Sequence, residues 1–500
     1  MSDLTQGPLV HLKDGAVRGK VESGVSAFLG IPFAAAPFGA DRMRPPQPVQ
    51  AWDGERDGTK YGPTAPKGDY PPQYAALFPE VVIPGEDCLN LNVWTPDINA
   101  VGLPVLVWIH GGSFMNGSGS VGAYNGAAFA RDGVVCVTIN YRLSAEGFLF
   151  LDDGIANLGL LDQLAALQWV QNNISAFGGD PARVTVAGES AGAMSVTTLL
   201  SMPLAEGLFG QAIAQSGAAA HTLTPDEGLM VAKYLADALG VPADRDSIGA
   251  VPLEKLVQAA SDLVVEVQTA PDPAKWGQLA LSLLPFAPTV DGSVLPAAPL
   301  ASIAAGQGGG VRLLLGSNRD EARLFLVAPA AIDFIDVPTL QAAVGAYGLS
   351  EADVAVYRSN RPDASAGDIL AAVVTDWFFG IPATRVAEAR VAAGASGTWT
   401  YRFDHLRPED NNRLGACHAA EIPFVFDTIG DDETRPLIGG TPSQAVADKA
   451  HKAWVDFIVN GNPGWPAYDM VSRVTGVIAE DIAAASDPAA DERVLWDGIR

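Results

Sequence analysis

Gly188-Glu189-Ser190-Ala191-Gly192 is the one place in the chain where a serine stands between two glycines in a G-x-S-x-G pattern. With 53 glycines in 500 residues such a match can arise by chance, so its surroundings decide its meaning. An apolar run, Val184–Ala187, precedes it, and an apolar helical run, Ala191–Leu200, follows. A serine on such a strand-to-helix turn is pushed outward beside the helix N-terminus, and glycines flank it because the turn leaves no room for a Cβ. The bland alternative is an ordinary βα turn made of small residues. A serine nucleophile needs a base, a group that orients the base, and donors for the oxyanion. His110-Gly111-Gly112-Ser113-Phe114 follows the apolar run Val105–Ile109 and has the form of a glycine-rich oxyanion loop. The alternative there is a plain glycine turn. His110 precedes the serine and reads as a structural histidine.

On this kind of turn the partners follow in the order serine, acid, histidine. The acid that best fits the end of a strand lies in Gly316-Ser317-Asn318-Arg319-Asp320-Glu321, after Val311–Leu315. Asp320 and Glu321 compete, and spacing does not choose between them. The histidines after Ser190 are His221, His405, His418 and His451. His221 precedes every plausible acid, and His451 sits in a helical run with Trp454 and Phe457. Spacing leaves His405 against His418 open.

The elements that must carry these residues can be read coarsely. The first hundred residues give short strands (Ala16–Val21, Phe28–Phe33, Leu89–Trp94) and proline-rich connections such as Arg44-Pro45-Pro46-Gln47-Pro48. Val105–Ile109 and Val134–Ile139 are β-branched without polar alternation, which predicts strands buried on both faces, as in a parallel sheet. Leu160–Val170 has helical spacing, and Thr398–Phe403 returns to strand character. Strands alternating with helices predict an α/β class with a mainly parallel central sheet flanked by helices. One catalytic domain spanning 1–500 is expected, with helical insertions at about 221–285 and 327–395 over the active site. The Ala/Asp-rich stretch from Ile482 to Asp491 reads as a solvated tail.

Composition narrows the function classes. The chain is 48% hydrophobic, too apolar to be intrinsically disordered. It has 57 acidic and 31 basic residues, a net charge of −26, which disfavours nucleic acid and anionic membrane surfaces as partners. No apolar run approaches the ~18–20 residues of a membrane span. The three cysteines, Cys88, Cys136 and Cys417, match no metal spacing and make no disulfide framework. The opening residues lack the pattern of a secretory leader, so a cytoplasmic location is expected.

Further segments make the chain recognisable. Glu86-Asp87-Cys88-Leu89-Asn90-Leu91-Asn92-Val93, Asn157-Leu158-Gly159-Leu160-Leu161-Asp162-Gln163 and Phe177-Gly178-Gly179-Asp180-Pro181 resemble signatures of the type-B carboxylesterase family, an α/β-hydrolase branch. Phe28-Leu29-Gly30-Ile31-Pro32, Asn140-Tyr141-Arg142-Leu143, Gln215-Ser216-Gly217, Asp291-Gly292 and Gly461-Asn462-Pro463 extend the resemblance from about Gly15 to Tyr468. The resemblance implies the α/β-hydrolase fold and carboxylic-ester hydrolysis through an acyl-enzyme, with no metal or organic cofactor. It also chooses among the candidates. The family's acid falls on Glu321, and its histidine falls on His418 in Gly415-Ala416-Cys417-His418-Ala419-Ala420-Glu421. Its oxyanion donors fall on the N–H groups of Gly112, Ser113 and Ala191.

Departures are few. Ser113 replaces a third glycine, and Ala322 and Ala419 replace glycines after the acid and the histidine. The family's first cysteine would fall near Ala65, which leaves Cys88 without a partner and agrees with a reducing compartment. The resulting expectation is a serine esterase for neutral, fairly hydrophobic small-molecule esters, with Ser190, Glu321 and His418 as triad. A carbamate or aryl-amide hydrolase with the same triad is the nearer rival. A non-catalytic adhesion or scaffold homologue is the distant one, disfavoured because all three triad positions are filled.

Overall fold

The run Leu103–Ile109 sends Val105, Val107 and Ile109 into one hydrophobic core and Leu106 and Trp108 into another. Val135, Val137 and Ile139 part from Cys136 in the same way, as do Leu313 and Leu315 from Leu314. An apolar run without polar alternation is thus a strand whose two faces are both covered. The structure, a computed structural model, describes residues 7–395, 397–407 and 413–500.

In chain order the strands are β1 (Leu9–Leu12), β2 (Gly15–Arg18), β3 (Lys20–Glu22), β4 (Val25–Pro32), β5 (Glu55–Asp57), β6 (Asn90–Thr95) and β7 (Leu103–Ile109). They continue as β8 (Val135–Ile139), β9 (Gly179–Glu189), β10 (Gln211–Gln215), β11 (Arg312–Asn318), β12 (Thr398–Phe403), β13 (Val474–Ile478) and β14 (Ile482–Ser486). Among the described residues, β1, β2 and β5 form a small sheet, and the other eleven form one large sheet in the order β14-β13-β12-β11-β10-β9-β7-β8-β6-β4-β3. Its middle, from β13 to β8, is parallel throughout, and β14, β6, β4 and β3 add antiparallel edges. β7, β9, β10, β11 and β12 lie side by side, so the loops at their C-terminal ends meet at one rim. Ser190, the 110–114 loop and Glu321 all leave the sheet there.

Helices occupy much of segments 221–285 and 327–395. The second carries Val337–Ala346, Glu351–Asn360, Ala366–Thr375 and Ile381–Ala392, several of which share a core with Trp496.

Three details differ from the sequence reading. Ile482–Ser486 is not a free tail but an edge strand antiparallel to β13, held where Ile478 pairs with Ile482. β10 was visible only as a motif, because its core Ala212-Ile213-Ala214 has little intrinsic strand preference and gains its conformation from β9 and β11 on either side. Ala366–Ala392 forms one helical run long and apolar enough to cross a membrane, although 61% of its most apolar window is buried inside the protein. It reads as a core helix on that burial.

The three cysteines are buried and unpaired. Burial pushes the Cys88 thiol up to about 12 and raises Cys136 and Cys417 as well, so all three are poor nucleophiles in the folded chain. Thiol titration under denaturing, non-reducing conditions is expected to find all three reactive, and the folded protein to react far more slowly. A persistent shortfall of two would mean a disulfide involving Cys88.

Candidate active site

β9 ends at Glu189 and the helix Ala191–Ser201 starts two residues later, so Ser190 alone makes the turn. Its backbone stands at φ +56°, ψ −123°, a strained conformation for a residue with a Cβ. The turn has no space to relax: a Cβ on Gly188 would lie 2.6 Å from the Ile109 carbonyl oxygen, and one on Gly192 would lie 2.0 Å from it. Ser190 N–H donates to the Gln215 carbonyl (2.9 Å), and Met194 N–H donates to the Ser190 carbonyl (2.9 Å). The serine is therefore fixed between β10 and the first helical turn.

Opposite it, the loop after β7 holds Gly112, Ser113 and Phe114 at φ of +110°, +56° and +60°. Ser113 and Phe114 thus carry a Cβ in the left-handed region that favours glycine. Among the described residues, no protein acceptor takes the N–H of Gly112, Ser113 or Ala191. A Cβ on Gly111 would stand 3.0 Å from Ser190 Cβ, which places this loop directly against the serine.

The two ambiguities left by spacing part cleanly in space. Glu321, fully buried, accepts from Asn318 N–H at Oε1 (2.7 Å) and meets His418 Nδ1 at Oε2 (2.6 Å). Its neighbour Asp320 points elsewhere, accepting from Ala416 N–H (3.0 Å) and pairing with Arg319 (2.8 Å). His405 lies 3.1 Å from Glu480, and His451 bonds the Val425 carbonyl and Asp132. His221 binds the Phe378 carbonyl (2.8 Å) and stacks on the Phe378 ring. His110 contacts the Gly111 carbonyl (2.8 Å) and stacks on Tyr141, and burial pushes it down to about 3, so it is a neutral structural residue. In this state His418 Nε2 faces Glu189 Oε1 at 3.1 Å, without hydrogen-bond alignment, and is not bonded to Ser190 Oγ.

The sequence matches the carboxylesterase family model over residues 6–475. The chain belongs to the carboxylesterase family. It is 37% identical to the para-nitrobenzyl esterase of Bacillus subtilis (strain 168), covering 97% of each chain. It is 34% identical to the phenmedipham hydrolase of Pseudarthrobacter oxydans over 97% of this chain and 98% of that one. A crystal structure of the Geobacillus stearothermophilus carboxylesterase EST55 at pH 6.2 superposes with a TM-score of 0.85 at 35% identity, covering 98% of this chain and 99% of that one. The fold is the α/β-hydrolase fold, and this carboxylesterase is a serine carboxylic-ester hydrolase.

Reading by spacing gave no role to two further carboxylates of this carboxylesterase, Glu189 and Glu421. Glu421 is fully buried and accepts from Gln215 Nε2 (3.1 Å) and Asn318 Nδ2 (2.6 Å), while Trp454 Nε1 donates to Gln215 Oε1 (2.8 Å). Asn318 thus ties Glu421 to the loop carrying Glu321. The signal was present only as the glutamate closing the His418 segment. Its partners, Gln215 on β10 and Asn318 on β11, are far away in the chain. Burial raises both Glu189 and Glu421. Burial alone would lower His418, but the carboxylates of Glu189 and Glu321 beside it outweigh that and raise it to about 9.

The sign of the pH dependence follows. Only neutral His418 can take a proton, so kcat/KM should climb with pH along a limb displaced above the ordinary histidine value of about 6.5. Glu189→Gln removes the largest raising influence on His418 and should move that limb to lower pH. The check is a kcat/KM profile from pH 5 to 10 for both proteins. A limb unmoved by the substitution would mean that Glu189 does not set the protonation of His418.

Aromatic rings wall the histidine. Phe325 and Phe379 lie with ring centroids 5.2 and 4.8 Å from His418, and Tyr74 lies 6.4 Å from Phe325. Phe379 belongs to a single π-helical turn, Asp376–Gly380, which swings Trp377, Phe378 and Phe379 out of regular helical register.

Proposed function

We propose that Ser190 attacks the ester carbonyl, that His418 Nε2 takes the serine proton, and that Glu321 holds the imidazole through Nδ1. The 2.6 Å contact between Glu321 and His418, at the rim where Ser190 makes its strained turn, carries this reading. Before attack, His418 Nε2 must take the Ser190 hydroxyl in place of Glu189. Such catalytic hydrogen bonds are commonly loose in the free enzyme and tighten with substrate bound. The carbonyl oxygen becomes an oxyanion that accepts from Gly112, Ser113 and Ala191 N–H, each donor typically contributing about 3–4 kcal/mol to lowering the barrier. His418 then gives its proton to the departing alcohol. A water molecule repeats the sequence on the acyl-serine, releasing the acid and restoring Ser190.

The substrates proposed are neutral, fairly hydrophobic esters. Phe325, Phe379 and Tyr74 supply apolar surface beside His418. Residues 65–88 contain Tyr70, Tyr74 and Phe78 but no tryptophan, the side chain that holds a quaternary ammonium best. A desolvated cation–π contact contributes about 2 kcal/mol, roughly thirtyfold in affinity, which this segment forgoes. Comparison of kcat/KM for a thiocholine ester and an uncharged thioester of matched acyl group and size should show no preference for the cation. A tenfold or larger advantage for the cation would overturn the substrate reading. A cytoplasmic location is also proposed, supported by three unpaired cysteines.

A further inference from the structure

The loop that presents Gly112 and Ser113 is tied to the sheet at several points. Tyr141 Oη donates to the His110 carbonyl (2.8 Å), and Ser144 N–H donates to the Phe114 carbonyl (2.7 Å). Gly119 N–H donates to Asn140 Oδ1 (2.8 Å), and its carbonyl accepts from Asn92 Nδ2 (3.1 Å) and Thr138 Oγ1 (2.7 Å). Between these anchors, Asn116 and Gly117 are held by a different part of the chain. Asn116 Nδ2 donates to the Gly68 carbonyl (2.8 Å) and to Glu80 Oε2 (3.1 Å). Gly117 N–H donates to Glu80 Oε2 (3.4 Å), and the Gly117 carbonyl accepts from Lys67 Nζ (3.1 Å). Lys67 and Glu80 complete the clamp as an ion pair at 3.2 Å, with side chains only 1% and 12% exposed.

Burying a lysine ammonium is costly, and a pair placed only to pin a surface segment would do as well in water. The geometry of the loop gives this pair a consequence. Asn116 N–H donates to the Gly112 carbonyl (2.9 Å), as does Met115 N–H (2.8 Å). The Gly112–Ser113 peptide is planar and trans, so its carbonyl and the Ser113 N–H point in opposite directions. Wherever Asn116 holds the Gly112 carbonyl, it aims the Ser113 N–H the other way.

We propose that Lys67 and Glu80 are positioning residues for the reaction: through Asn116 they fix the Gly112–Ser113 peptide and thereby aim the Ser113 N–H at the oxyanion. The inference rests on Ser113 N–H being an oxyanion donor. It also links two parts of the site, because the segment that carries Lys67 and Glu80 carries Tyr74, which packs on Phe325 beside His418. The aromatic wall beside His418 and the oxyanion loop then share one support.

The test uses Glu80→Gln and the double variant Lys67→Met/Glu80→Gln, which leaves no lone buried charge and keeps the test open if the single variant folds poorly. Each is compared with the unaltered enzyme for hydrolysis of a p-nitrophenyl ester and for inhibition by an aryl trifluoromethyl ketone, which adds to the serine and forms a tetrahedral oxyanion. Per titrated active site, kcat should fall about tenfold and the ketone inhibition constant should rise by about the same factor, a misaimed donor being less costly than a deleted one. KM and the pH limb set by His418 should change little. Lower thermal stability with unchanged kcat and ketone affinity would overturn the proposal and reduce the pair to loop support. Ketone inhibition that is lost already in the unaltered enzyme would instead remove the oxyanion reading on which the proposal stands.

Discussion

Ser190→Ala is expected to lower kcat by about 10⁴–10⁶ while leaving the fold intact. The size of the loss reflects the removal of the atom that forms the acyl bond. The retained fold follows from what the turn requires. Alanine keeps the Cβ that the space beside Gly111 already accommodates, and it carries the same backbone strain at φ +56° that serine does. The bonds that fix the turn, from Ser190 N–H to Gln215 and from Met194 N–H to Ser190, are backbone bonds and survive the change. Steady-state assay, circular dichroism and a thermal melt of the two proteins check this together. A variant that melts like the parent and still turns over at more than about a hundredth of its rate would leave the nucleophile elsewhere.

Glu321→Gln should cost about 10³–10⁴ in rate, and Asp320→Asn less than about tenfold. The two carboxylates are neighbours in sequence and differ entirely in what they touch. Glu321 faces His418 from full burial, and its charge steadies the imidazolium formed when the serine loses its proton. Glutamine fills the same volume, but its amide can donate to Nδ1 and stabilise the wrong tautomer. Asp320 supports the backbone at Ala416 and pairs with Arg319, roles that asparagine partly retains. Measurement of kcat for both variants on one ester decides the assignment. The reverse order of losses would move the orienting role to Asp320.

The fold was readable where composition leaves one solution. Val105–Ile109 and Val134–Ile139 could be satisfied only between two cores, and they are. The turn at Ser190 was readable because two glycines, a strand and a helix coincide within a dozen residues. Elements whose conformation comes from neighbours were harder. β10 is a strand because β9 and β11 flank it, and Ile482–Ser486 pairs only because β13 presents an edge. The choice between Asp320 and Glu321 could not come from spacing, because adjacent residues in a loop point in directions set by the tertiary structure. Family resemblance chose Glu321, and the structure brings its carboxylate within 2.6 Å of His418 Nδ1. Nothing local marks Glu189 as a neighbour of His418, since the contact spans the sheet rim. Other residues of the recognisable segments proved to be scaffold. Arg142 and Asp162 form a buried two-point ion pair at 2.7–2.8 Å, and Asn157 holds the backbone of Thr289.

In the proposed mechanism Ser190 is the residue that becomes acylated. Reaction of the enzyme with an activated aryl phosphonate, followed by proteolysis and mass spectrometry, tests it most directly. One equivalent of phosphonyl group is expected on the peptide containing Gly188-Glu189-Ser190-Ala191-Gly192, with loss of activity in proportion to label and no labelling of Ser190→Ala. Stoichiometric inactivation with the label on any other residue would contradict it.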